Sequence, residues 1–194
     1  MALQSSGQIS LNDLHVEAGG STGTQASMND TDIRGLVSAA ANSQMTFSSF
    51  YGASSSILST TMTIGVINLS STYGGIYYGY NDHTKSGVTL DSCGSLASGS
   101  VNSIQSGAIV SRITHHNTTQ SIAIQINDNT AIPNSGWTSL TIGSTTLNRT
   151  AANFVQQTNT NATSGYQQTS TWTFNSQGTT SPFGTSGTVS ITIL

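Results

Sequence analysis

The chain has 194 residues, enough for one domain, or for one domain and a smaller module. Only 6% of residues are charged, four Lys/Arg against seven Asp/Glu, which excludes a groove that neutralises nucleic-acid phosphates, and a formal charge of −3 gives no attraction to an anionic membrane surface. Ser and Thr supply 63 residues and Leu, Ile, Val and Phe 40, near the compositional edge of disorder, but regular apolar alternation places the chain among folded proteins.

The opening Met1-Ala-Leu-Gln-Ser-Ser-Gly-Gln has neither a positive n-region nor an apolar h-region, so no secretory signal is expected. No apolar run approaches the roughly 18 residues of a membrane span. Cys93 is alone, which rules out an internal disulfide and any zinc spacing and fits folding in a reducing cytosol.

Composition changes near residue 54. Four of the seven acids (Asp13, Glu17, Asp30, Asp32) precede it, and no charge occurs from Thr150 to Leu194. Residues 1–53 therefore read as a separate N-terminal module and residues 54–194 as the main domain. Within the module, Gln8-Ile-Ser-Leu-Asn-Asp-Leu, Gln25-Ala-Ser-Met-Asn-Asp-Thr and Gln44-Met-Thr-Phe-Ser-Ser-Phe form a weak repeat. Ser10…Asp13 and Ser27…Asp30 have capping-box spacing, with Asp in place of the usual Glu or Gln. The pattern predicts short helices over Leu11–Ala18, Asn29–Ala40 and Phe47–Tyr51, the first stopped by Gly19-Gly20. Helices this short need something to dock on. Packing within the module and docking on a partner are equally compatible with the spacing, and Leu11, Leu14, Ile33, Leu36, Phe47, Phe50 and Tyr51 are the candidate assembly residues.

From residue 54 the pattern changes to strands. Met62–Leu69, Ile76–Tyr80, Ala108–Thr114, Gln120–Ile126, Leu140–Ile142, Thr169–Phe174 and Thr188–Leu194 are short apolar runs separated by Gly, Asn and Ser clusters that suit turns. Ile122, Ile124 and Ile126 share one face, and His115-His-Asn-Thr-Thr is placed to close a hairpin. Seven to nine strands predict an antiparallel β-sandwich, Ig-like or jelly-roll-like, behind the short-helix module.

Catalytic and metal motifs are not found. His115 and His116 are adjacent, so on a strand they point to opposite faces and cannot chelate together. His15 and Glu17, two apart, do not share a helix face. No Gly-X-Ser-X-Gly elbow or Gly-Lys-Ser/Thr loop occurs, and Asp82, Asp91 and Asp128 are scattered for a glycosidase pair. Neither an enzyme nor a cofactor is expected. The aromatic run Tyr73-Gly-Gly-Ile-Tyr-Tyr-Gly-Tyr80 alone has binding character: Tyr78 and Tyr80 share a face, and with Tyr73 they form a candidate glycan or receptor patch, against the alternative that they fill the sandwich core.

The ordered segments Gly7-Gln-Ile-Ser-Leu-Asn-Asp-Leu-His-Val-Glu, Ser27-Met-Asn-Asp-Thr-Asp-Ile-Arg-Gly-Leu and Met45-Thr-Phe-Ser-Ser-Phe-Tyr-Gly-Ala-Ser resemble the N-terminal signature of marine bacteriophage virion proteins. There GxISLNDI…ELG, D-x-x-(V/I)-R-x-L and (I/M)-S-(M/F)-S-(D/E)-(F/L)-Y-G follow one another; Ser49 stands where an acid is usual. Pro133-Asn-Ser-Gly-Trp-Thr-Ser-Leu-Thr-Ile-Gly, Leu147-Asn-Arg, Thr171-Trp-Thr-Phe and Ser181-Pro-Phe-Gly resemble the β-domain of such proteins. The resemblance implies a structural part of a tailed phage particle (tail, fibre, collar or capsid decoration) that is made in the host cytoplasm and resides in the virion. It further implies other virion proteins as partners, a homo-oligomer such as a trimer, and a host-surface glycan if the chain recognises a receptor.

Overall fold

The computed structural model describes residues 3–37, 39–40, 42–51, 53, 56–69, 74–86, 90–158 and 165–194. It divides the chain into two units, Met1–Ser56 and Ile57–Leu194. Among the described residues no helix is long and apolar enough to cross a membrane.

In the first unit, helix α1 (Leu11–Glu17) starts at Ser10 for the reason its spacing implies. The Asp13 N–H donates to Ser10 Oγ at 3.2 Å, and the Ser10 N–H donates back to Asp13 Oδ2 at 2.7 Å. That amide, then the Ser10 hydroxyl, hold the Asp13 carboxyl below its usual range. Gly19, at φ 98°, ends the helix, and the Gly20 N–H reaches the His15 carbonyl at 2.8 Å. Helix α2 is Thr31–Gly35, much shorter than the expected Asn29–Ala40. The second box does not form: the Asp30 carboxylate accepts from the Ser27 N–H at 2.8 Å, as in a turn, while Asp30 itself becomes the cap without a side-chain bond. Beyond Arg34, Gly35 and β-branched Val37 are weak helix formers, and the Leu36 and Val37 amides tighten to bonds three residues back. The third element is one 3-10 turn, Phe47–Phe50. Each contributes to one small core of Ile9, Leu14, Ile33 and Phe50, and the Leu3 N–H to Ala53 carbonyl bond (2.8 Å) joins the ends of the unit.

The second unit is mainly β. Its strands are β1 (Leu58–Thr63), β2 (Gly65–Asn68), β3 (Ile76–Asn81), β4 (Ser95–Leu96), β5 (Ile109–His116), β6 (Ser121–Asp128), β7 (Ser139–Ile142), β8 (Thr145–Asn148), β9 (Asn153–Thr158), β10 (Gln168–Phe174) and β11 (Thr188–Ile193), with a helical turn α3 (His83–Ser86) after β3. They form two antiparallel sheets, ordered β4-β1-β11-β7-β8 and β2-β3-β5-β6-β10-β9. The main core joins Met62, Leu140, Ile142 and Ile191 of the first sheet to Ile113, Ile124 and Trp172 of the second, the arrangement of a β-sandwich.

The expected strand Met62–Leu69 is two strands in different sheets. The chain changes sheet at Ile64, whose N–H bonds to the Gly187 carbonyl at 2.8 Å. Immediately after it, Gly65 comes so close to Gly94 that a Cβ would lie 2.0 Å from the Gly94 nitrogen. His115 and His116 belong to β5, not to the turn; the hairpin closes at 117–120, with Gln120 at φ 52°. Arg149 clamps the 134–137 segment through the Trp137 and Asn134 carbonyls, and Asn134 Oδ1 accepts from Trp172 Nε1 at 2.8 Å. Trp137 meets Trp172 edge-on at 5.3 Å. Trp137, Leu140, Ile142, Leu147, Trp172, Phe174 and Phe183 of the segments that resemble a phage β-domain are buried in the main core, while residues 133–136 lie at the surface.

Candidate functional site

Burial sorts the candidate assembly residues. Leu14, Ile33 and Phe50 are wholly enclosed in the N-terminal core, so they hold the unit together and offer no contact surface. Helical periodicity groups residues by face without saying whether the face is covered. Leu11 and Leu36 are partly buried against the same core. Phe47 and Tyr51, 43% and 41% exposed, remain as surface aromatics, and Val16, which periodicity did not single out, is as exposed as they are. Phe47 lies at the edge of a cavity of about 430 Å³ that Met28, Arg34 and Met45 also line. Arg34 is buried there, with Nη1 donating to Asn29 Oδ1 at 3.0 Å and Nη2 to Ser43 Oγ at 2.9 Å. Methionine and phenylalanine around a tethered arginine form an adaptable apolar pocket with a polar floor.

The candidate glycan patch does not form as expected. Tyr73 lies outside the described residues. Tyr78 pairs with Val66 and His115, Tyr80 with Ile113, and both turn towards the main core: Tyr80 is buried and Tyr78 partly so. Burial, then the charge of Asp82 and the presence of Tyr166, push the Tyr80 hydroxyl up to about 12. The shared face of Tyr78 and Tyr80 is the inner one: Tyr80 belongs to the main core and Tyr78 packs against it.

The opposite face of the six-stranded sheet carries the chemistry. Tyr77 pairs with His116 and their rings stack at 4.1 Å and 11°. One strand residue further on each side, Thr114 faces Ala123, and Arg112 faces Gln125. A bulge between Val110 and Arg112 inserts Ser111, whose hydroxyl donates to Asn127 Oδ1 at 3.1 Å, so Ser111 and Arg112 project on the same side. Tyr77, Arg112, Thr114, His116, Ser121 and Thr173 surround a polar cavity of about 160 Å³. Arg112 is partly exposed, but its Nε is buried without a hydrogen-bond partner. Burial pushes the guanidinium below the usual arginine range, opposed by Tyr77 alone. It stays charged at neutral pH all the same, since its ordinary value lies so far above.

The two histidines diverge as strand alternation requires. His115 Nε2 pairs with the Gly178 carbonyl at 2.9 Å, and its ring meets Phe183 edge-on; His116 Nδ1 pairs with Thr119 Oγ1 at 2.8 Å, which in turn bonds Ser121 Oγ at 2.7 Å. Burial lowers both imidazoles below 6.5, with His115 adding to the effect at His116. His116 Nε2 is buried without a partner, packed so closely on Gly75 that a Cβ there would sit 2.1 Å away. Among the described residues His116 Nδ1 meets the Thr119 hydroxyl, where an acyl-transfer triad places a carboxylate. Among the described residues no group of three or more His, Cys, Asp or Glu is placed to hold a metal ion. Cys93 is buried, its thiol pushed up by burial, which disfavours the reactive thiolate.

The chain matches no protein-family model, no curated protein and no solved structure. Its own residues therefore carry the functional argument.

Proposed function

We propose that this chain is a structural component of a tailed bacteriophage particle, associated with the tail, fibre or collar, and that residues 1–53 attach it there. The carrying observation is that the three ordered segments resembling a virion signature also supply the walls of one small core: Ile9 and Leu14 from the first, Ile33 from the second, Phe50 from the third. A signature whose three segments each send an apolar side chain into one core describes a folded module. Its exposed Phe47 and Tyr51, and the pocket between Met28, Arg34 and Met45, give such a module a surface for other virion proteins. A repeated, weak interface suffices when many copies assemble, through avidity. Self-association into an oligomer, trimeric in a fibre, belongs to this reading, as does residence in the virion after synthesis in the host cytoplasm. Binding and assembly, without catalysis or a cofactor, are the proposed activities.

The test is a density map of the intact particle produced in cells that make this chain. Density for the chain with its N-terminal unit against tail, fibre or collar subunits is the expected result. Density on the capsid surface, with particles losing heat resistance when the chain is missing, would replace the reading with capsid decoration. A monomeric chain absent from purified particles would refute both.

A further inference from the structure

The outer face of the six-stranded sheet holds an arginine that the fold itself does not use. Arg112 lines a cavity of about 160 Å³, its Nε has no hydrogen-bond partner, and no carboxylate among the described residues pairs with it. Enclosing a cation without a counter-charge is unfavourable, and a planar guanidinium is relieved best by an oxyanion that accepts two parallel hydrogen bonds. The remaining wall is chiefly hydroxyl-bearing: Thr114 on β5 and Thr173 on β10, either side of Ala123 on β6, and Ser121 and Thr119 at the hairpin, with the Tyr77–His116 stack closing one side. Ala123 is its one aliphatic lining residue, so an apolar side chain or an acyl tail would gain little from entering. Hydroxyls that both donate and accept match the hydroxyls of a sugar. The volume is well below the roughly 300 Å³ at which drug-sized pockets begin, so a single ring or a terminal residue is the fitting size.

From this we infer that the cavity is a binding site for one acidic saccharide residue, whose carboxylate or sulfate is held by Arg112 while the hydroxyls of Thr114, Ser121 and Thr173 orient the ring. The site differs from the tyrosine patch expected from sequence: of the aromatic run it uses Tyr77, on the face opposite Tyr78 and Tyr80. It stands independently of whether the chain is a virion component.

The full chain, labelled with 15N, is titrated with glucuronate, glucose 6-sulfate, glucose and inorganic sulfate while amide and arginine Nε–H resonances are followed. At least one acidic sugar is expected to give saturable shifts at Arg112 Nε–H and at the Thr114 and Ser121 amides, with glucose giving none. Arg112→Gln is expected to weaken that binding at least about tenfold, the loss typical of a charged hydrogen bond. Thr173→Val, a milder change at a partly exposed position, is expected to weaken it severalfold with the melting temperature unchanged, and keeps the test decisive if Arg112→Gln fails to fold. Absence of saturable shifts with both acidic sugars overturns the inference. So does binding that both variants leave intact, or inorganic sulfate binding as tightly as either acidic sugar, since the hydroxyls would then contribute nothing.

Discussion

Gly65→Ala tests the account of how the chain passes from one sheet to the other. Gly65 follows the change of sheet at Ile64 and pairs with Gly79, while the backbone of Gly94 and Cys93 crosses over it. An added Cβ would stand 2.0 Å from the Gly94 nitrogen and 2.7 Å from the Cys93 carbonyl carbon, against 3.4 Å for ordinary contact. All the obstructing atoms are backbone, so no side chain can rotate away and the crossing segment must retreat by more than an ångström. Overpacking costs about 1–3 kcal/mol, and a rigid obstacle puts this case at about 3. For a domain of this size, roughly 2–4 °C per kcal/mol translates that into a fall of about 6–12 °C in the melting temperature. Retreat would also loosen the paired Asn81 and Cys93 backbone bonds (2.9 and 3.0 Å), so the Cys93 thiol should react faster with a disulfide reagent below the melting transition. Gly187→Ala is the control: at φ 89° with nothing within 4 Å of its Cβ, it bears only the conformational penalty, about 1–2 kcal/mol, and should leave Cys93 as it was. A Gly65→Ala protein that melts within 2 °C of the parent, with unchanged thiol reactivity, would refute the close-approach argument.

Two further substitutions separate core from surface in the N-terminal unit. Leu14→Ala removes a fully enclosed side chain and should cost about 2–5 kcal/mol, enough to open a core of this size to limited proteolysis within residues 1–56; the fluorescence of Trp137 and Trp172 reports whether the second unit stays folded. Phe47→Ser, at an exposed position, should leave that unit protease-resistant and lower the amount of chain recovered with particles. Stability should also fall in mild acid. Above pH 6.5 His115 and His116 are neutral in folded and unfolded chains alike; below it the unfolded chain takes up protons that the folded one resists, until the pH passes the lowered folded values. A lower melting temperature at pH 5.5 than at 7.5 is expected, and His115→Gln or His116→Gln should each shrink the difference; an unchanged difference in both would show that other groups control it.

The alternation of Ile122, Ile124 and Ile126 made the central strand readable, because a strand covered on one face by a second sheet writes that burial into its sequence. Polar edge strands leave no such trace: β9 has one exposed apolar residue, Val155, and no alternation to read. The Ser10–Asp13 cap was legible since all its atoms lie within four residues, whereas the same spacing at Ser27 and Asp30 gave a turn because the sequence beyond Arg34 does not sustain a helix. Pattern also grouped Tyr78 with Tyr80 correctly but could not say which face was inner, a question settled by the strands alongside. The cavity at Arg112 was harder still. It joins the β5–β6 hairpin to Tyr77 of β3 and Thr173 of β10, which are distant in sequence, and a bulge sets the direction of its central side chain.

In a chain with four cationic side chains, the surroundings of each arginine carry unusual weight. Arg34 and Arg149 are both tied into the fold: Arg34 bridges Asn29 and Ser43 across the turn after α2, and Arg149 holds the carbonyls of the segment that fixes Trp172. Replacing either would leave acceptors unsatisfied, which explains their presence without any ligand. No side-chain hydrogen bond ties Arg112 to an acceptor among the described residues, and its Nε is buried without a partner although Gln125 lies opposite it on the next strand. A neutral isostere there should fold at least as well, because no side-chain hydrogen bond or ion pair among the described residues depends on the guanidinium and its unpartnered Nε is buried. The Arg112→Gln protein therefore carries two opposite expectations, unchanged or higher melting temperature and lost affinity for an acidic sugar, and a purely structural arginine would give the reverse of both.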